Sequence, residues 1–399
     1  MKKRSTTFGI LFVVAFASTA GVGCGGARPT VVTSAADISS EKPVVKTKDR
    51  RADGPLDLGP LPPADLEVLQ QAVAFLDDGR ISAGIRLMEP LLERHPRSML
   101  VLHELALAYR RNSEPKKAVD LLLPFKDELP VLSLAGLGSA LDEDGRPAEA
   151  IEILRFSISV FPASGLLHSE LGVTLYRAGE LAPAMEAFRR GMDAEPSWPT
   201  NYLHSANVYA DSKERALGLI YGEMFRILEP TSPRSREMAK TLVKLYREAV
   251  EIQPNGKGGT DANVSLVPGP LRMGKDGGMA LESAYERTMG PPLTIAHIQG
   301  ISLDSLHKAR VGFLGVLTDP KVKTADVLRE SPLFMFHRAL QLAGHFEAYN
   351  VWLLAPAFPH EAEVWSAMHA QQMTEMFRFL QTHPMVAPRE SKEEGGGHA

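Results

Sequence analysis

The sequence predicts an all-α protein: a superhelix of stacked helical hairpins followed by a smaller helical C-terminal domain. Three observations carry that expectation. Pro96, Pro130, Pro162, Pro196 and Pro230 stand 34, 32, 34 and 34 residues apart, and each closes an apolar, helix-like segment that proline cannot continue. Counted back from these prolines, five units begin near residues 65, 99, 131, 165 and 199. Each has a small residue at its eighth position (Ala72, Ala106, Gly138, Gly172, Ala206) and at its twentieth (Gly84, Ala118, Ala150, Ala184, Gly218). Between these two positions fall Gly79, Ser113, Gly145 and Gly179, where a hairpin turn is needed and glycine accepts a left-handed backbone. Small residues on facing helices allow close approach of the two backbones. One hairpin cannot bury its apolar face alone, and stacking five makes a continuous core.

From the N-terminus, Lys2, Lys3 and Arg4 precede an apolar stretch from Phe8 to Ala17 and then small residues, the order of a secretory signal over 1–23. Ten apolar residues are too few to span a bilayer. The one cysteine of the chain, Cys24, follows Gly21-Val22-Gly23. This arrangement resembles the bacterial lipoprotein signal, although Gly21 stands where that family usually has leucine. The resemblance implies that Cys24 is the lipidated N-terminus of the mature protein, and Gly25 after it favours the outer membrane, with the protein facing the periplasm. Residues 24–60 are poor in large apolar residues and read as a disordered tether.

The repeats occupy 65–254 together with a capping helix. The unit from Gly165 to Trp198 contains Leu171-Gly172, Leu175-Tyr176, Gly179-Glu180-Leu181, Ala184, Phe188 and Pro196, and it resembles the tetratricopeptide repeat almost position for position. The first unit is looser, with Pro90 inside its second helix. The fifth departs most: Lys213 replaces the turn glycine, and Gly222 stands where a large apolar residue is expected, so shifted or bent helices are expected there. After Ser232-Pro233 a capping helix is expected from Glu237 to Ile252. Residues 255–278 are glycine-rich and aperiodic, which reads as a linker. A helical domain follows over 279–383, with segments Met279 to Met289, Leu303 to Leu317, Leu333 to Ala343, Phe346 to Leu354 and Glu361 to Gln381. The tail 384–399 reads as disordered.

Composition excludes some functions. With 44% hydrophobic and 23% charged residues and a net charge of -4, the chain is an ordinary folded protein. It has neither the basic stripe of a nucleic-acid binder nor a polybasic membrane patch, so no nucleic-acid partner is expected. The near phosphate loop Gly269 to Asp276 places a carboxylate where a hydroxyl should hold magnesium. His297, His307, His337, His345, His360 and His369 lack the spacing of a zinc site, and scattered surface or helix-end histidines are expected instead. Val364, Trp365, Met368, Met373, Met376, Phe377 and Leu380 recur at core spacing. No nucleophile elbow is present, and no catalytic residue, metal or small-molecule cofactor is expected.

The tetratricopeptide resemblance implies that a protein or peptide partner lies along the first helices of the repeats. It assigns His103, Glu104, Arg110, Arg111, Asp142, Glu143, Tyr176, Arg177, His204 and Asn207 to that groove. The lysine and asparagine pattern with which some family members clamp a C-terminal carboxylate is missing. The expected function is a lipid-anchored cell-envelope scaffold for protein–protein interaction. The alternatives are an enzyme with its active site in the C-terminal helices, or a soluble secreted repeat protein.

Overall fold

The computed structural model describes residues 55–254, 260–270, 272–274 and 278–385. The expected signal, Cys24, the tether up to residue 54, residues 275–277 of the near phosphate loop and the tail from 386 lie outside the described residues. Among those described are eighteen α-helices and one two-stranded hairpin. The chain divides between Leu129 and Pro130 into two compact units.

The first unit holds two hairpins, α1 (Pro63–Asp77) with α2 (Ile81–Arg94) and α3 (Met99–Arg111) with α4 (Pro115–Leu122). Proline begins both α1 and α4, where its missing N–H leaves no bond unmade. Helix α2 runs through Pro90 without ending. The turn of the first hairpin is left-handed at Gly79 (φ 77°), and that of the second at Ser113 (φ 59°), which must bear the cost that glycine avoids. Helix α4 ends after eight residues, because Pro124 follows and Leu123–Phe125 tighten into a 3₁₀ turn. Residues 55–60, expected within the tether, lie along this unit. Asp57 N–H donates to the Arg97 carbonyl (2.9 Å), and Met99 N–H donates to the Asp57 carbonyl (2.9 Å).

The second unit begins with three hairpins: α5 (Val131–Glu143) with α6 (Pro147–Val160), α7 (Gly165–Arg177) with α8 (Leu181–Ala194), and α9 (Pro199–Asp211) with α10 (Arg215–Leu228). The small eighth position receives a large residue from the second helix. A Cβ on Gly138 would stand 2.6 Å from Leu154 Cγ, and one on Gly172 would stand 2.5 Å from Phe188 Cδ1. The twentieth-position residues Ala150 and Ala184 are fully buried. The fifth turn has no left-handed residue; instead the Ser212 hydroxyl accepts from Glu214 N–H (3.1 Å) and donates to the Tyr209 carbonyl (2.9 Å). Gly222 is explained by its neighbour α11 (Pro233–Glu248): a Cβ there would meet Met238 Sδ at 2.7 Å and Leu242 Cδ2 at 2.9 Å. The glycine admits the capping helix.

The cap ends sooner than expected. Val250–Pro254 form strand β1, antiparallel to β2 (Thr260–Val264) in the register Val250↔Val264, so the helix predicted as far as Ile252 stops at Glu248. Beyond β2, within the segment read as a linker, Leu266 and Val267 are buried and donate their backbone N–H groups to the Glu286 carboxylate (2.7 and 2.6 Å).

Seven helices follow: α12 (Leu281–Gln299), α13 (Leu303–Thr318), the short α14 (Asp326–Arg329), α15 (Pro332–Leu342), α16 (Phe346–Leu354), α17 (Pro359–Met368) and α18 (Ala370–Thr382). Helix α12 continues past Met289 through Pro291 and Pro292. Ser302 and Ser305 cap α13 reciprocally. The predicted helix from Glu361 to Gln381 breaks at His369, and the apolar run along it is only partly core. Met376 is fully buried, whereas Val364, Met368 and Phe377 point outward. One apolar cluster extends from Tyr202 in α9 through α10, α11, α12, α13, α15 and α16 to Met376 in α18. The fifth repeat, its cap and the C-terminal helices therefore share a core.

Candidate partner-binding face

In the first unit, α3 carries His103, Glu104, Arg110 and Arg111, none of them fully exposed. Burial pushes the His103 imidazole below its usual pKa, with Arg110 adding to the effect. Burial raises the Glu104 carboxyl, helped by Asp77 and opposed by Arg111. This stretch of the face is therefore semi-buried, and Glu104 favours its neutral form more than a solvated glutamate does.

In the second unit the first helices α5, α7 and α9 lie against one another in turn. Asp142 and Arg177 meet across the α5–α7 junction: Arg177 Nη1 donates to Asp142 Oδ2 at 2.8 Å, with the Asp142 side chain 7% and the Arg177 side chain 59% exposed. At the same junction Ser139 Oγ donates to Glu170 Oε2 at 2.7 Å. Glu143 is exposed at the end of α5, Tyr176 is 48% exposed on α7, and Asn207 is exposed on α9. His204 is half-buried and stacks on Phe188, with ring centroids 5.3 Å apart and planes 18° apart. Burial pushes its pKa down to about 4, and the positive charges of Arg234 and Arg177 push the same way. At neutral pH it is an uncharged imidazole that can donate one hydrogen bond and accept another.

A second cluster was not foreseen. His337, expected on the surface, is 2% exposed and bonds through Nε2 to Glu223 Oε1 (2.6 Å). The Glu223 carboxylate, on α10, also accepts from the Tyr349 hydroxyl (2.6 Å) and from both terminal nitrogens of Arg310 (2.5 and 2.9 Å). Arg310 donates in addition to the Tyr246 hydroxyl (3.0 Å) and to Asn350 Oδ1 (2.6 Å), and Asn350 Nδ2 meets His307 Nδ1 (3.0 Å). Burial alone would raise the Glu223 carboxyl, but Arg310 and His337 outweigh it and hold Glu223 well below the usual carboxylate range. Burial keeps His337 neutral against the pull of Glu223. The network joins α10, α11, α13, α15 and α16 with its charges matched, so it is a fastening between elements. The one sequence signal for it was Glu223 and Arg226 inside an otherwise apolar helix.

These shifts set an acid limit. His103, His168, His204, His307 and His337 all have folded pKa values depressed below 6.5. The unfolded chain therefore binds protons first as pH falls through about 6.5, and stability is lost over that range. The thermal unfolding midpoint is expected to fall between pH 7.5 and pH 5, and His204→Gln to make the fall shallower; a midpoint flat over this range would refute it.

Residues 69–125 and 136–197 match the tetratricopeptide repeat family. No match was found among curated proteins. Among solved structures, similarity extends to TTC0263, a thermophilic tetratricopeptide repeat protein of Thermus thermophilus (18% identity over 45% of this chain and 99% of that one, TM-score 0.40). It extends also to pilF of Pseudomonas aeruginosa (21%, 46% and 85%, TM-score 0.38) and to PilW, a type IV pilus biogenesis factor (14%, 47% and 86%, TM-score 0.39).

Proposed function

We propose, from the premise that this chain carries tetratricopeptide repeats, that it is a non-catalytic scaffold which binds a protein or peptide partner along the first helices of its repeats. The observation that carries the reading is the row on α7 and α9. Tyr176, Arg177 and Asn207 are exposed on consecutive first helices, beside a neutral imidazole at His204. A tyrosine gives rigid amphipathic area at low entropic cost, and an arginine edge gives directional donors; both residue types are enriched among interface anchors. In the first unit, His103, Glu104, Arg110 and Arg111 on α3 offer the corresponding face. We assign the protein to the cell envelope, held at the outer membrane by acyl chains on Cys24 and facing the periplasm, on the resemblance of residues 1–24 to a lipoprotein signal.

Two measurements test this. A photoreactive amino acid at position 176, activated in the native cell, is expected to crosslink a discrete partner, while the same group at exposed Glu152 on α6 does not; equal or absent capture at both sites would remove the scaffold reading. Cys24→Ser is expected to move the protein from the membrane to the soluble fraction, and a variant that stays in the membrane would remove the lipid anchor.

A further inference from the structure

Far from the first-helix face, a cleft of about 270 Å³ is lined by Leu314 and Leu317 of α13 and by Phe334, Met335, Ala339 and Leu342 of α15. That is below the roughly 300 Å³ at which small-molecule sites begin, so it suits an inserted side chain. Helix α15 is apolar on two faces. Leu333, Phe334, Phe336 and Leu340 fill the core, while Met335, Ala339 and Leu342 recur at helical spacing on the solvent side, with Met335 58% and Leu342 81% exposed. An outward apolar stripe beside a cleft marks an interaction surface. Arg329 and Arg338 line the cleft as well. Arg329 is spoken for, since it donates to the Asp326 carboxylate and to the carbonyls of Leu317, Asp319 and Val322. Arg338 is exposed and has no acceptor among the described residues.

The same chain carries the complement. On α17, Ala362 is buried, while Glu363, Val364, Ala367 and Met368 are all exposed, Met368 by 69%. Residues 363 and 367, and 364 and 368, are neighbours one turn apart, so the four make one face. Methionine is unbranched and fills irregular apolar gaps. The Glu361 carboxylate is occupied by Leu303 N–H (2.8 Å), but Glu363 has no donor among the described residues. Other outward apolar side chains stand beside cations. Pro291 and Ile295 on α12 follow Arg287, and Phe377 on α18 adjoins Arg378. Those faces would set like charge against Arg338, whereas the α17 face sets a carboxylate against it.

We propose that the chain self-associates through these two patches: Met368 of one copy enters the α13–α15 cleft of another, Val364 covers its apolar mouth, and Glu363 pairs with Arg338. The patches are unlike, so the contact joins different surfaces of the two copies. Burial of the apolar side chains supplies the attraction, and the ion pair at the rim selects the orientation. The proposal does not depend on the first-helix face.

The test uses two differently tagged full-length copies made in one cell. A photoreactive amino acid at position 368 of one copy is expected to join it to the segment 332–342 of the other, identified by mass spectrometry of the digested adduct. The reciprocal label at position 342 is expected to join its copy to the segment 359–368. Arg338→Glu in the receiving copy should lower the yield from position 368 about tenfold, because it sets two carboxylates together, and Glu363→Arg in the labelled copy should restore it. Rescue by the second reversal also shows that the first has not unfolded its chain. Adducts within one chain, adducts to a different protein alone, or no adduct from either position would overturn the proposal. So would an undiminished yield with Arg338→Glu, or no recovery in the paired reversal.

Discussion

Replacing Gly172 with leucine is expected to destabilise the second unit by about 3 kcal/mol, the upper part of the usual overpacking range. Even a Cβ at this position would stand 2.5 Å from Cδ1 and 2.8 Å from Cζ of Phe188, a ring that is itself 1% exposed and pressed against His204. The ring has no free volume to move into, so α7 and α8 would have to separate. Ala150→Trp, at a fully buried position, should act the same way on α5 and α6. The control is Gly136→Ala: that glycine lies mid-helix with nothing within 4 Å of an added Cβ, so the change should stabilise by about 1 kcal/mol through helix propensity alone. Denaturation followed by circular dichroism measures all three. An unchanged midpoint for Gly172→Leu and Ala150→Trp would mean that the helices do not pack through these notches.

Arg310→Met is expected to be at least as damaging, about 3–5 kcal/mol, because it leaves the Glu223 carboxylate buried without its cation. Glu223 has other donors in His337 and Tyr349, but each of them was bonding an anion already shared with Arg310. Replacing both partners, Glu223→Leu with Arg310→Met, is expected to recover much of the loss, since no uncompensated charge remains. The pH dependence has a definite sign. The Glu223 carboxyl is depressed in the folded state, so its contribution is complete above the ordinary glutamate pKa and disappears as pH falls below it. In the double variant that part of the acid sensitivity should be absent. A single variant as stable as the parent, or a double variant worse than the sum of the two singles, would contradict a matched buried pair.

The repeats were legible because their determinants are local and periodic. Gly138, Gly172 and Ala184 lie where the spacing placed them, and the turn glycines Gly79, Gly145 and Gly179 all have positive φ. Gly222 was read as a defect because the sequence does not show which helix will pack there; its reason lies in Met238 and Leu242, a full element away. The same blindness to distant partners hid the buried network, whose members span residues 223 to 350 and come together only by tertiary packing. His337 looked like a surface histidine because its carboxylate lies 114 residues away. Helix boundaries failed for a different reason. The segment expected to end at Met289 continues as α12 through Pro291 and Pro292, and the aperiodic glycine-rich segment concealed strand β2 and two core residues. On the candidate face, the residues were placed by position alone, and only the structure separates those that bond each other, such as Asp142 with Arg177, from those left open, such as His204.

The fastening at Glu223 has a practical corollary for anyone wishing to isolate the repeats. A polypeptide stopped at residue 254 would keep Glu223 and Arg226 but lose Arg310, His337 and Tyr349, which answer Glu223, and Leu353, whose carbonyl accepts from Arg226. It would also bare the apolar flank of α10 and α11 to water. Such a truncation should be recovered as aggregate, whereas one extended through Thr382 should stay in solution.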